Sequence, residues 1–232
     1  MFEIYTLLID RNLKTEEFEH LSCYVSPEKK QRIGRFYHFA DAQRALLGDL
    51  LARHAICSRA GVKNSSIAFS ANEYGKPELK GHFFLQFNIS HSDNWVVCAI
   101  GDSPVGVDVE TVKPIDFKLA ERFFSQDEYY ALANQQEGDK LDYFYKLWTL
   151  KESYIKAEGK GLSIPLSSFS IHINEEGITA YSGCEKKEYF FGQYYLDKSH
   201  IFAICTFKDG RHKKNNFNID LFTRNASFFK EY

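Results

Sequence analysis

No two cysteines in this chain are spaced for a bridge or a zinc site. Cys23, Cys57, Cys98, Cys184 and Cys205 stand singly, odd in number and without a C-x-x-C pair, a pattern that suggests neither a disulfide framework nor a cysteine-based zinc module. Charge of either sign is not in excess. The net of −2 leaves nothing overall to draw the chain to nucleic acid or an anionic membrane. No apolar run approaches the ~18 residues a membrane span needs. The start, with Glu3 and Asp10 around a short apolar run, lacks the basic n-region and long h-region of a signal peptide. A cytoplasmic, reduced, soluble protein is expected, with no nucleic-acid or membrane partner. What is present is aromatic weight: Phe, Tyr and Trp make up 16% of the 232 residues, which calls for a packed interior in one large domain or two small ones.

Local patterns order the elements. Met1–Ile9 reads as a strand, rich in β-branched and aromatic residues before the Asp10-Arg11-Asn12 turn. Ser26-Pro27-Glu28-Lys29 is a helix start: a serine cap, proline in the first turn, then an acid. From Asp41 to Arg59 the residues Leu46, Leu47, Leu50, Leu51 and Ile56 recur at helical spacing, with Gly61 as the stop. Strands are expected at Ile67–Ser70, Phe83–Ser90 and Trp95–Ile100, and a turn at Tyr74-Gly75-Lys76-Pro77. A second half opens with the strand Val105–Glu110. Helices over Phe117–Phe124, Asp127–Ala133 and Leu141–Ala157 follow, the last stopped by Gly159 and Gly161. Further strands are expected at Ser168–Ile173, Tyr189–Tyr195 and Ile201–Phe207, then a polar, loosely attached tail from Lys208. Trp95–Ile100 rhymes with Ile201–Phe207, and each half pairs helices with a small sheet. The expected class is α+β: two similar subdomains, residues 1–104 and 105–208, with a tail over 209–232.

Two segments carry chemistry. Strand geometry puts Asp108 and Glu110 of Gly106-Val107-Asp108-Val109-Glu110 on one face, with Val107 and Val109 on the other. Neighbouring acids repel, and a hard cation such as Mg²⁺ between them is one physical solution. An isolated Asp-x-Glu is more often a solvated strand edge. In the helix, Trp148, Glu152 and Lys156 follow one another at i, i+4 and share a stripe. Taken alone, that stripe needs no more than a surface ion pair and a core tryptophan.

Together, Gly-x-Asp-x-Glu and the later Trp148-x-x-Lys151-Glu152-Ser153-x-x-Lys156, continued by Glu158-Gly159-Lys160-Gly161-Leu162-Ser163, resemble the signature of the 4′-phosphopantetheinyl transferases. The Lys-Glu-Ser and Lys-Gly-Leu-Ser forms are similar to the Sfp-type members, which prime peptide and polyketide synthases. Upstream, Tyr74-Gly75-Lys76-Pro77 and Phe87-Asn88-Ile89-Ser90-His91-Ser92 look like that family's N-terminal motifs. Ser26–Lys29, Arg35–His38, Arg44 and Leu46–Asp49 are similar to its helical region. The resemblance covers roughly residues 1 to 175.

The resemblance implies a pseudo-dimer with the active site in the cleft between the halves. It implies coenzyme A as donor, Mg²⁺ as cofactor and the serine of an acyl or peptidyl carrier protein as acceptor, 3′,5′-ADP leaving. By motif position, Lys29, Arg32, Arg44, Lys76 and His91 form an anion cage for the coenzyme, with Ser90 a hydroxyl donor. Asp108 and Glu110 hold the metal. Glu152 completes the metal shell, acts as general base, or both. Lys156 and Lys151 stabilise the departing phosphate. Val109 stands where some members carry a third polar residue, and Arg32 where a lysine is familiar. A monomer is expected, since two halves of one chain supply the cleft. A pyrophosphate-cleaving hydrolase and a non-catalytic coenzyme-binding module are the rival readings.

Overall fold

Each half of the chain begins with a strand, crosses it with a long helix, and returns with two antiparallel strands. The structure, a computed structural model, describes residues 1–81, 84–207 and 211–219. The first half comprises β1 (Phe2–Leu8), α1 (Thr15–Leu21), α2 (Pro27–Ile33), α3 (Phe39–Ala60), β2 (Phe69–Ala71), β3 (Pro77–Leu79), β4 (Gln86–Ser92) and β5 (Trp95–Gly101). The second comprises β6 (Val105–Thr111), α4 (Lys118–Phe123), α5 (Gln126–Ala133), α6 (Lys140–Glu158), β7 (Ser170–Asn174), β8 (Gly177–Ser182), β9 (Glu185–Lys186), β10 (Tyr189–Tyr195) and β11 (His200–Phe207). A last strand, β12 (His212–Asn218), follows. The strand order β1-β5-β4 in one sheet matches β6-β11-β10 in the other. All four of these pairings are antiparallel. The class is α+β, with two subdomains of the same β-α-β-β connectivity arranged as a pseudo-dimer.

Local chemistry accounts for the helix positions. Ser26 Oγ accepts the Lys29 N–H at 3.2 Å and caps α2. Helix α3 buries Leu46, Leu47, Leu50 and Leu51 against the first sheet, and α6 buries Leu147, Leu150 and Ile155 against the second. A third core joins the halves: Phe2, Ile4, Val97 and Ala99 meet Val105, Val107, Val109, Phe202 and Ile204. Val107 and Val109 therefore face this shared apolar core, while Asp108 and Glu110 lie on the opposite face of β6, as strand alternation requires. Cys98 and Cys205 are buried and unbridged.

Some expectations shift. Strand β4 runs on through His91 and Ser92, so the connection to β5 shrinks to Asp93-Asn94, with Asp93 at φ 50°. Phe83, at the expected start of that strand, lies outside the described residues, as do 208–210 and 220–232 of the tail. The described part of the tail is not loose. Strand β12 pairs in parallel with β1 from Phe2↔His212 to Leu8↔Asn218. It also reaches the second half, where His212 Nε2 bonds the Tyr194 hydroxyl at 2.9 Å. Among the described residues, no helix is long and apolar enough to cross a membrane.

Candidate active site

The two halves meet along β4 and β6 without pairing as strands. The odd-numbered side chains of β4, Ile89 and His91, face a cleft beside α3. The even-numbered ones, Asn88, Ser90 and Ser92, face β6. Its backbone N–H groups on that side donate to them in turn: Val107 to Asn88 Oδ1 (2.9 Å), Val109 to Ser90 Oγ (3.3 Å) and Thr111 to Ser92 Oγ (3.1 Å). This side-chain ladder satisfies an otherwise unpaired strand edge. It also fixes the register in which β6 presents its acids.

Asp108 is the centre of the cluster. Its Oδ1 accepts from Lys156 Nζ at 2.6 Å and from Ser90 Oγ at 3.1 Å, and Lys156 Nζ also reaches Ser90 Oγ at 3.1 Å. Its Oδ2 is buried and has no hydrogen-bond partner. Burial, then the Asp108 charge, pushes the Glu110 carboxyl up to about 7, against the opposing pull of Lys156 and the Trp148 indole. The same two causes raise Glu152. A buried oxygen left without a partner, beside two carboxyls whose ionisation is held back, fits a hard divalent cation. Among the described residues, however, no three such donors stand grouped as a formed metal cluster. Lys156 supplies a positive charge at Asp108.

The contact between β6 and α6 depends on Gly106. A Cβ there would lie 2.0 Å from Ser153 O and 2.3 Å from Ala157 N, so helix backbone lies directly on strand backbone and Lys156 reaches Asp108.

Next to this cluster lies a cleft of about 340 Å³ whose lining includes Lys29, Arg32, Arg44, Gly75, Pro77 and His91. Arg44 is held at the rim by Asp41 Oδ1 (2.5 Å) and the Asp93 carbonyl (2.9 Å). Lys29 Nζ stands 3.7 Å from Asp49, and burial pulls its pKa down. Packing at the rim, then the cations Arg44, Lys156 and Lys29, keep His91 below its ordinary value. Among the described residues, two larger hollows lack this convergence of cations. In one of about 550 Å³, Arg59 is bound to Glu3 and Asp102. In one of about 600 Å³ beside residues 189–191, Lys187 is bound to Glu185.

Most of the expected site residues thus come together, and three take different work. Ser90 commits its one hydroxyl proton to Asp108, so it orients a carboxylate rather than donating to the coenzyme. Lys151 is fully buried, bound to Glu128 and to Phe169 O, and does not line the cleft. Lys76 turns out of the cleft onto backbone carbonyls of the second half. Asn88 and Ser92, named above only within a motif, hold β6 in register by accepting its N–H groups. Their signal is the period-2 run of polar residues in an otherwise apolar strand.

Comparison with known proteins identifies the family. A 4′-phosphopantetheinyl transferase superfamily model matches residues 104–205, and a 4′-phosphopantetheinyl transferase N-terminal model matches residues 12–102. 4′-phosphopantetheinyl transferase Sfp of Bacillus subtilis is 43% identical over 88% of this chain and 91% of its own length. The gsp transferase of Aneurinibacillus migulanus is 43% identical over 81% of this chain and 78% of its own. A holo-(acyl-carrier-protein) synthase structure from Bacillus anthracis aligns with 45% of this chain and 94% of its own at 16% identity, TM-score 0.38. With transferase models on both halves and Sfp-type relatives matching along most of its length, this chain belongs to the 4′-phosphopantetheinyl transferase superfamily and is an enzyme of its Sfp-type branch.

Proposed function

We propose that the enzyme moves the 4′-phosphopantetheine arm of coenzyme A onto a serine of acyl or peptidyl carrier proteins, releasing 3′,5′-ADP, and that it serves non-ribosomal peptide or polyketide synthases. The observation that carries this reading is the Lys156–Asp108–Ser90 cluster opening beside a cleft lined by Lys29, Arg32, Arg44 and His91. A ligand with a phosphate-rich nucleotide end and a reacting phosphorus next to it needs both. Lys29, Arg32, Arg44 and His91 bind the phosphates, guanidinium and ammonium groups meeting them as forks and point charges. Asp108, Glu110 and Glu152 would hold Mg²⁺, and the ion would supply positive charge to offset that developing on the leaving phosphate. Glu152, its basicity raised by burial, takes the proton of the carrier serine, directly or through a water. Lys156 neutralises the departing phosphate. Positioning and charge neutralisation do most of the work in such a transfer.

The subdomains are taken as residues 1–104 and 105–208. A cytoplasmic monomer is the working state, supported by unbridged cysteines and by a site assembled from two halves of one chain.

Arg44→Ala is expected to raise the KM for coenzyme A about tenfold while kcat stays within about twofold, the loss of one charge-assisted hydrogen bond. The difference from wild type should shrink in high salt. Steady-state kinetics at two ionic strengths check both. The overall reading is tested by following 3′,5′-ADP release. Release that needs both Mg²⁺ and an apo-carrier supports transfer, and equal release without acceptor would make the protein a hydrolase.

A further inference from the structure

The Tyr74–Pro77 turn has two faces. Gly75 and Pro77 line the cationic cleft, but the Lys76 side chain leaves it and crosses to the second half. Its ammonium meets Lys156 O at 2.6 Å, Val105 O at 3.1 Å and Ala157 O at 3.4 Å. A lysine has three N–H donors and no acceptor. These three carbonyls use all of them, and none is left for a phosphate. Burial pulls the Lys76 pKa down to about 8, so the carbonyl contacts have to offset the cost of burying the charge.

Asn72 completes the contact. Its Nδ2 donates to Gly159 O at 2.8 Å, while its Oδ1 accepts from the Tyr74 and Lys76 N–H groups at 3.0 and 2.9 Å. Helix ends leave carbonyls without intrahelical partners. Here the last turn of α6 and its left-handed terminator, Gly159 at φ 73°, are capped from the opposite subdomain. That last turn carries Lys156, and Val105 opens the strand that carries Asp108. Lys76 therefore holds the backbone on both sides of the 2.6 Å Lys156–Asp108 contact.

We propose that Lys76 is a positioning residue and not a coenzyme ligand: by capping α6 across the subdomain junction it sets Lys156 against Asp108. The inference rests on the transferase reading above. Its test is Lys76→Met, assayed with coenzyme A, Mg²⁺ and an apo-carrier, with coenzyme A affinity measured separately by calorimetry.

The expected result is a kcat at least about tenfold lower, the equivalent of one charge-assisted bond, with the Kd for coenzyme A within about twofold of wild type. Lys76→Arg, which keeps charge and donors, should recover most of kcat. A tenfold weaker Kd at near-normal kcat would make Lys76 a phosphate ligand and overturn the proposal. A lower Tm with kcat and Kd both unchanged would overturn it too, leaving Lys76 purely structural. If Lys76→Met does not fold, Asn72→Ala, which removes the Gly159 bond, is read by the same split. Wild-type enzyme that binds coenzyme A yet modifies no carrier would sink the transferase reading instead. The calorimetric Kd of Lys76→Met would then still decide whether Lys76 binds the coenzyme.

Discussion

Gly106→Ala is expected to lower stability by about 3 kcal/mol or more and to remove at least about 99% of turnover in the protein that remains folded. The added Cβ would lie 2.0 Å from Ser153 O, 2.3 Å from Ala157 N and 2.8 Å from Lys156 C. All three are backbone atoms of α6, so no side-chain rotation relieves the contact. The helix must retreat by about 1 Å from β6 to bring the closest contact to 3.0 Å, below which Cβ atoms essentially never approach. Such a retreat opens the Lys156–Asp108 contact, and misplacement on that scale can cost a hundredfold in rate. In a domain of this size the stability loss corresponds to a fall in Tm of roughly 6–12 °C. Thermal unfolding and turnover of Gly106→Ala check both parts. Wild-type values in either would mean that α6 does not lie on β6 as described.

Breaking the Lys151–Glu128 pair should cost about 3–5 kcal/mol, because the partner left behind is a charge buried without a counterpart. Lys151 Nζ lies 2.5 and 2.7 Å from the carboxylate oxygens and 2.7 Å from Phe169 O. Glu128 also accepts the Ser125 and Ile171 N–H groups, each at 2.7 Å. One carboxylate thus fastens the start of α5, the middle of α6 and the start of β7. With side-chain exposures of 0% and 1%, neither group has water to fall back on. Lys151→Met and Glu128→Gln should each show the full loss in denaturant unfolding, and the double variant much less than their sum. At a temperature where Lys151→Met stays folded, kcat should lie within about threefold of wild type, since the ammonium does not reach the cleft. A collapse of kcat at unchanged stability would restore Lys151 to the departing phosphate.

The contrast between Lys151 and Lys156 marks where the sequence is legible. Strand alternation correctly put Asp108 and Glu110 on one face, and helical spacing put Glu152 and Lys156 on one stripe. Five residues around a helix, at about 100° each, turn Lys151 well away from Lys156, so motif membership misled where periodicity did not. Lys76 was recognised by type, but a turn motif says nothing of which way its side chain leaves the turn. The Asn88-x-Ser90-x-Ser92 alternation could be read, yet its partners are backbone N–H groups 19 residues away. Strand β12 escaped because it sits at a sheet edge. Main-chain bonds hold it there, and its largely exposed side chains need no apolar alternation. The repeated β-α-β-β order was legible only as the faint rhyme of β5 with β11, because core packing preserves strand order without preserving side chains.

The most direct measurement is the intact mass of an apo-carrier protein after incubation with the enzyme, coenzyme A and Mg²⁺. The expected result is a gain of one phosphopantetheine with wild-type enzyme, and none with Asp108→Ala or in the presence of EDTA. An unchanged carrier mass with wild-type enzyme across several apo-carriers, or a full gain with Asp108→Ala, would contradict the account.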